Sequence, residues 1–179
     1  MKSILVLQGS PRKEGNSDLI CNQFISGASK AGHETEKIYV SDQKIGYCKA
    51  CYACEKTGEC IQKDDMESIL DKMAAADVIV LATPVYYFTM SAQLKTLIDR
   101  TFAMNFAKAK ISDKEFYFIA TAADEIELMN RAIDALTGFT DCLPNAQIKG
   151  VLYGAEVLKK GEVKGKEVMQ EAYVCGENV

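Results

Sequence analysis

The run Ser3-Ile4-Leu5-Val6-Leu7-Gln8-Gly9-Ser10-Pro11-Arg12-Lys13-Glu14-Gly15-Asn16-Ser17-Asp18 decides how the chain is read. Residues 2–7 form a short apolar segment rich in Ile, Leu and Val and bounded by Gly9 and Pro11, the signature of a strand buried on both faces and central in its sheet. From Ser17 onward Ile20, Phe24 and Ala28 recur at helical spacing. Asn16 offers a cap, and Asp18 puts a carboxylate in the first turn, where the helix dipole favours it. A buried strand that breaks at glycine and resumes as an amphipathic helix opens a strand–helix crossover. The loop between them carries the chemistry. Unpaired N–H groups at a helix start, the donors of Ser10, Asn16 and Ser17, and the guanidinium of Arg12 suit a phosphate monoester. The bland alternative is an ordinary polar turn. The spacing fits neither GxGxxG nor GxxxxGK[ST], which points to a mononucleotide rather than a dinucleotide or a triphosphate.

The same alternation continues along the chain. Strands are expected at 34–40, 77–83, 115–121 and 146–154. Helices are expected on the faces Met66, Ile69, Leu70, Met73; Leu94, Leu97, Ile98, Phe102, with Ser91 as cap; Ile126, Met129, Ile133, Leu136; and Val168, Met169, Ala172. Asp64-Asp65-Met66-Glu67 reads as a capping box for the first of these helices. Five strand–helix units without repeats or linkers predict one α/β domain over residues 1–179, a doubly wound, five-stranded parallel sheet with helices on both faces. The strand order 2-1-3-4-5 reverses between the first and third strands and opens a crevice at their carboxyl ends.

The loop after the third strand supplies the second half of that crevice. Pro84 pins the backbone, and Val85, Tyr86, Tyr87 and Phe88 present apolar and aromatic faces against which a flat isoalloxazine ring can pack. A subunit interface or a lid on the core would use the same aromatics. Residues 41–63 show no sustained period and form a cysteine-rich loop, long for a compact α/β domain. Within it, Cys48-x2-Cys51-x2-Cys54-x5-Cys60 spans 13 residues. Three readings stay open there: a four-iron cluster on four thiolates, a zinc ion on the same set, and cysteines without metal. Cys21, Cys142 and Cys175 read as buried structural cysteines, and Lys95, Asp99 and Arg100 as structural or interfacial ion-pairing residues without a chemical role.

Composition narrows the classes. With 179 residues, 48% hydrophobic and 26% charged, the chain can bury a substantial core. A net charge of -4 gives no general basic field, so nucleic acid and anionic membrane are poor partners. The apolar segment near residue 4 is too short for a signal peptide or a membrane span, and seven cysteines are an odd set, so a reducing, cytoplasmic setting is expected. A lone histidine and the lack of a nucleophile elbow argue against triad hydrolysis.

Taken together, Gly-Ser-Pro-Arg-x3-Asn-Ser from Gly9, the cysteine quartet, Asp64-Asp65-Met66, and Pro84-Val85-Tyr86 followed by Ser91-Ala92-Gln93-Leu94-Lys95 and Asp99-Arg100 resemble the iron-sulfur flavoproteins and related NAD(P)H-dependent FMN reductases. The resemblance covers roughly the first hundred residues and implies a flavodoxin-like fold, noncovalent FMN and a homodimer or homotetramer. It implies FMN phosphate at Ser10, Arg12, Asn16 and Ser17, the ring along Pro84 to Phe88 and beside Thr121, and cluster ligation by the four cysteines. Thr121-Ala122-Ala123-Asp124-Glu125 stands where many relatives carry a glycine-rich loop. The activity implied is electron transfer from NAD(P)H through FMN to a small acceptor such as a flavin or quinone, or to a [4Fe-4S] cluster. The alternative is an electron carrier between protein partners, with a ferredoxin-type donor. A zinc-stabilised interaction module without flavin is a third class.

Overall fold

The computed structural model describes residues 1–179. Five strands, β1 (Ser3–Gln8), β2 (Glu34–Tyr39), β3 (Val78–Pro84), β4 (Glu115–Thr121) and β5 (Gln147–Gly154), form one sheet in the order β2-β1-β3-β4-β5. Every pairing is parallel. The expected flavodoxin-like topology is therefore present, and the boundaries differ from the sequence reading by a residue or so. All seven residues of β3 are buried, as a middle strand covered on both faces must be. β1 lies one place from the middle, paired on both sides.

The period-2 alternation of the strands splits the core in two. Leu5, Leu7, Ile79, Leu81, Phe116 and Phe118 face α3 (Met66–Ala75), α4 (Ala92–Arg100) and α5 (Ile126–Thr140). Ile4, Val6, Val78, Val80, Tyr117 and Ile119 face α1 (Asn16–Lys30) and α6 (Val168–Glu177). The irregular region 41–63 also contains one helical turn, α2 (Ala53–Thr57), that the aperiodic sequence did not signal. No helix is long and apolar enough to cross a membrane.

Two caps differ from expectation. Gly15, with extended backbone, is the N-cap of α1, while Asn16 is its first residue and turns its side chain to another task. Asp64-Asp65-Met66-Glu67 forms no capping box, because the side chain of the cap residue Asp65 accepts no N–H from α3, taking that of Lys44 instead, and Asp64 is drawn toward Arg100. Ser91 does cap α4, accepting from Leu94 N–H at 3.4 Å.

α1 and α6 meet through glycine. A Cβ placed on Gly27 would stand 2.0 Å from the Tyr173 carbonyl oxygen, and one on Gly176 2.0 Å from that of Phe24. The neighbours are backbone, so nothing can swing aside. β2, an edge strand, is tied to α1 by a polar network. Lys37 Nζ donates to Asp18 Oδ1 at 2.7 Å, and the Tyr39 hydroxyl donates to the same carboxylate. Asp18 is 1% exposed, so the ammonium answers a buried charge. Burial works against the Lys37 charge, but the bonds to Asp18 and Tyr39 outweigh it and raise its pKa above the ordinary 10.5.

Two expectations follow from this packing. Alanine usually stabilises a helix over glycine by about 1 kcal/mol. Gly27→Ala should nevertheless lower stability by roughly 2 kcal/mol through overpacking, read as a lower urea midpoint at unchanged slope; a higher midpoint would contradict the close approach. Lys37→Met should cost about 2 kcal/mol by leaving Asp18 unpaired. Because the folded-state pKa is raised, that stabilisation is fully present below the ordinary lysine value and is lost as pH climbs through the raised one. The gap between wild type and Lys37→Met should hold constant from pH 6 to about 9 and close only in strong alkali, as urea midpoints across that range would report.

Candidate functional site

The chain leaves β1 for α1 on one face of the sheet and leaves β3 for α4 on the other. Adjacent parallel strands whose exits diverge leave a crevice at their carboxyl ends. Its floor is locked. Gly9 N–H donates to Ala82 O at 2.7 Å, and Ser91 Oγ donates to Gly9 O at 2.8 Å. Ser91 N–H donates in turn to Thr83 Oγ1 at 2.9 Å, and Val85 N–H donates to Thr121 O at 2.8 Å. The ends of β1, β3 and β4 thus hold one another at fixed spacing. Only glycine fits at position 9, where a Cβ would sit 2.9 Å from both Ala82 O and Leu94 Cβ.

Gln8, fully buried, organises the loop above this floor and was not singled out from the sequence. Its Oε1 accepts from Ser10 N–H at 3.0 Å and its Nε2 donates to Ser17 Oγ at 3.3 Å. Ser10 Oγ accepts from Arg12 N–H at 3.2 Å. Both serine hydroxyls act as acceptors in these bonds, so each keeps its own proton for an incoming anion. The N–H groups of Lys13, Asn16, Ser17 and Asp18 meet no acceptor in the chain. Such a set of unpaired N–H groups at a helix start is an anion cradle. Asp18, which would repel an anion, is already answered by Lys37, and its other oxygen accepts Glu14 N–H at 2.7 Å.

Asn16 and Arg12 stand differently from the two serines. Asn16 Oδ1 accepts from Gly161 and Val163 N–H at 3.0 and 3.3 Å, and its Nδ2 donates to Lys159 O at 2.9 Å. The amide is committed to the loop after β5, so Asn16 brings its backbone N–H rather than its side chain to the cradle. Arg12 Nη1 donates to Leu158 O at 3.2 Å and its side chain is exposed.

Across the crevice, residues 84–89 form a tight turn. Tyr86 and Thr89 exchange backbone bonds at 2.9 and 3.1 Å, and the two central residues, Tyr87 and Phe88, hold left-handed φ of 50° and 62°. Those positions favour Gly or Asn; aromatic side chains there are strained. Tyr87 is 99% exposed, Tyr86 and Phe88 less so, and Arg131 of α5 lies over the Phe88 ring at 5.3 Å. Pro84 closes β3 beside Thr121, which is nearly buried at the end of β4.

A cavity of about 620 Å³ lies away from this crevice, between residues 48–62, the end of α4 and the end of α5. Cys48, Cys51, Cys54 and Cys60 all line it, together with Cys142, which is exposed rather than buried as expected. No three metal-binding side chains converge closely enough to hold one ion as the thiols stand. They do feel one another: burial, and then the charges of Cys60, Cys51 and Cys48, push the Cys54 thiol up. The mouth of the loop is closed by Arg100, which is 2% exposed. Arg100 Nη1 donates to Gly46 O and Asp64 Oδ2, both at 2.7 Å, and Nη2 donates to Asp64 Oδ1 at 2.9 Å and Gln62 O at 3.5 Å. Burial works against the Asp64 charge, but the Arg100 fork and the N–H groups of Gly46 and Met66 hold its carboxyl below the usual carboxylate range. The sequence reading of Arg100 as a structural or interfacial ion-pairing residue is met by this bond to Asp64, but the reading did not place it in the core. A signal was present, since Arg100 continues the buried stripe of Leu94 and Leu97 at a spacing of three.

Comparison with known proteins agrees with this architecture. The sequence model of the NADPH-dependent FMN reductase family matches residues 2–152. An iron-sulfur flavoprotein of Archaeoglobus fulgidus is 42% identical over 100 residues, covering 56% of this chain and 45% of that protein. Another iron-sulfur flavoprotein of the same organism is 30% identical over 159 residues, 86% of this chain and 79% of its own. The chain spans about half the length of several curated relatives it matches. Among solved structures, an NAD(P)H:quinone oxidoreductase from Methanothermobacter marburgensis superposes with a TM-score of 0.71 at 18% identity, covering 99% of this chain and 95% of that one. A sheet that reverses its order above an anion cradle, a strained aromatic turn and a match over most of the chain lead to one assignment: the chain belongs to the NADPH-dependent FMN reductase family, alongside the iron-sulfur flavoproteins.

Proposed function

We propose that the protein is an FMN-dependent oxidoreductase that takes reducing equivalents from NAD(P)H and delivers them to a small acceptor such as a quinone or a flavin. The observation that carries this reading is the set of unpaired N–H groups at Lys13, Asn16, Ser17 and Asp18, facing an aromatic turn across the crevice of the order reversal. Bound FMN supplies the hydride and electron chemistry that no side chain here can. The chain's own residues have other tasks. The backbone cradle and the Ser10 and Ser17 hydroxyls bind the phosphate dianion, Arg12 adds an exposed positive charge, and Asn16 fixes the loop that flanks them. Pro84, Val85, Tyr86, Tyr87, Phe88 and Thr121 hold the ring so that one face stays open to each substrate in turn. The exposed aromatic turn also suits contact with a second copy in a homodimer or homotetramer.

The cysteine loop supports a second reading, an electron carrier between protein partners. Four thiols on one cavity wall, inside a loop whose mouth is held shut, fit the donor set of a [4Fe-4S] cluster. Cys48, Cys51, Cys54 and Cys60 would hold it. Anaerobic reduction by a ferredoxin-type donor, compared with reduction by NADH and NADPH, separates the two readings.

Phosphate recognition makes a clear expectation. Charge-assisted hydrogen bonds contribute about 1.5–3 kcal/mol each, so FMN should bind at least roughly a hundredfold more tightly than riboflavin. Ser17→Ala should weaken FMN about tenfold and leave riboflavin unchanged, by fluorescence titration. Equal affinity for the two flavins would sink the cradle assignment; an FMN-loaded protein that oxidises neither NADH nor NADPH with any quinone, flavin or dye would sink the reductase one. Tyr87→Gly relieves a left-handed side chain and should raise stability by about 1 kcal/mol while weakening flavin affinity, so the unfolding midpoint and the titration should move in opposite directions.

A further inference from the structure

Arg100 has more donors than its partners use. A guanidinium carries four Nη–H and one Nε–H. The end-on fork to Asp64, with Gly46 O and Gln62 O, occupies the four Nη–H. Nε is the one buried side-chain nitrogen or oxygen in the protein without a hydrogen-bond partner. An orphaned donor of that kind costs about 1–3 kcal/mol unless an acceptor is brought within its reach. Arg100 and Cys60 line the same cavity, and two residues beyond Cys60 lies Gln62, whose carbonyl Arg100 already grips.

We propose that Arg100 is a positioning residue for a sulfur-ligated iron centre in the cysteine loop: its free Nε–H donates to the Cys60 sulfur, fixing the fourth ligand and withdrawing charge from it. The assignment rests on the cluster reading given above. Arg100 then has two roles in one side chain. Its Nη fork closes the loop between Gly46 and Asp64, which removes much of the chain entropy that four thiolates would otherwise lose on gathering. Its Nε–H stabilises the extra electron of the reduced centre, because hydrogen bonds to cluster sulfurs raise the reduction potential. Asp64 holds the fork end-on through both Nη atoms, which leaves Nε out of that pair, and Lys49 and Lys110 line the same cavity without such a tether.

The test uses the whole chain, reconstituted anaerobically with iron(II) and sulfide. Arg100→Lys keeps the charge but has no fork and no Nε–H. It should still take up FMN, as a check on folding, while the ratio of reduced to oxidised centre at a fixed poise falls roughly tenfold, a shift of about 59 mV for a one-electron couple. If the variant does not fold, wild-type protein carrying 15N-labelled arginine suffices. Of the three arginines only Arg100 lines this cavity, so magnetic coupling of an arginine nitrogen and an exchangeable proton to the reduced centre reports this contact. Iron bound with an unchanged potential in Arg100→Lys, or with no arginine coupling in wild type, overturns the Arg100 assignment and leaves the cluster reading intact. Wild-type protein that binds no iron and sulfide overturns both.

Discussion

The contact of Gly9 with Ala82 O and Ser91 is the constraint on which the rest of the architecture turns. At the order reversal β1 lies beside β3 and their loops leave toward opposite faces, so the two loops must start side by side at close range. The missing Cβ at position 9 allows that approach, and the Ser91 hydroxyl welds it by bonding one loop while its oxygen caps the helix of the other. Thr83 and Thr121 extend the lock to the ends of β3 and β4. A side chain at position 9 would push the anion cradle away from the aromatic turn, and the crevice would lose its dimension before any ligand arrived.

Strain and neutralisation are distributed around that lock rather than within it. The floor is built of ordinary extended backbone, whereas the left-handed residues Glu14, Tyr87 and Phe88 stand in the loops above it. Backbone held in costly regions tends to mark places where function overrules propensity. The acidic first turn of α1 shows the same division. Asp18 ties down the loop through Glu14 N–H, and its charge is cancelled from the edge strand by Lys37, so the cradle gains order without gaining a negative field. In the cysteine loop the left-handed Ala50 and Tyr52 flank Cys51, and Arg100 ties the two ends of the loop together from a helix on the sheet.

Much of this was readable beforehand because it is local. Alternation at Leu5, Leu7, Val6 and Ile4, the helical stripes of α3 to α6, and the Ser91 cap are set by residues within a turn or a strand of one another. The readings that changed share a different property. Asn16 looked like a helix cap and instead holds residues 159–163; Asp64 looked like part of a capping box and instead holds Arg100. In both cases a polar side chain suited to a local bond found a better one more than thirty positions away. Gln8 and Arg100 were undervalued for the same reason, since a buried polar residue in an apolar pattern shows no partner until the chain is folded.

The sequence alone determined the parallel sheet, its layers, and the two loops flanking the order reversal, because periodicity and glycine placement act over short distances. The tertiary structure decided which donors stay free: the N–H groups at Lys13 and at Asn16 to Asp18, and the Nε of Arg100. Whether a hydrogen-bonding group is left over depends on every acceptor that the fold brings near it, and that sum exists only in three dimensions.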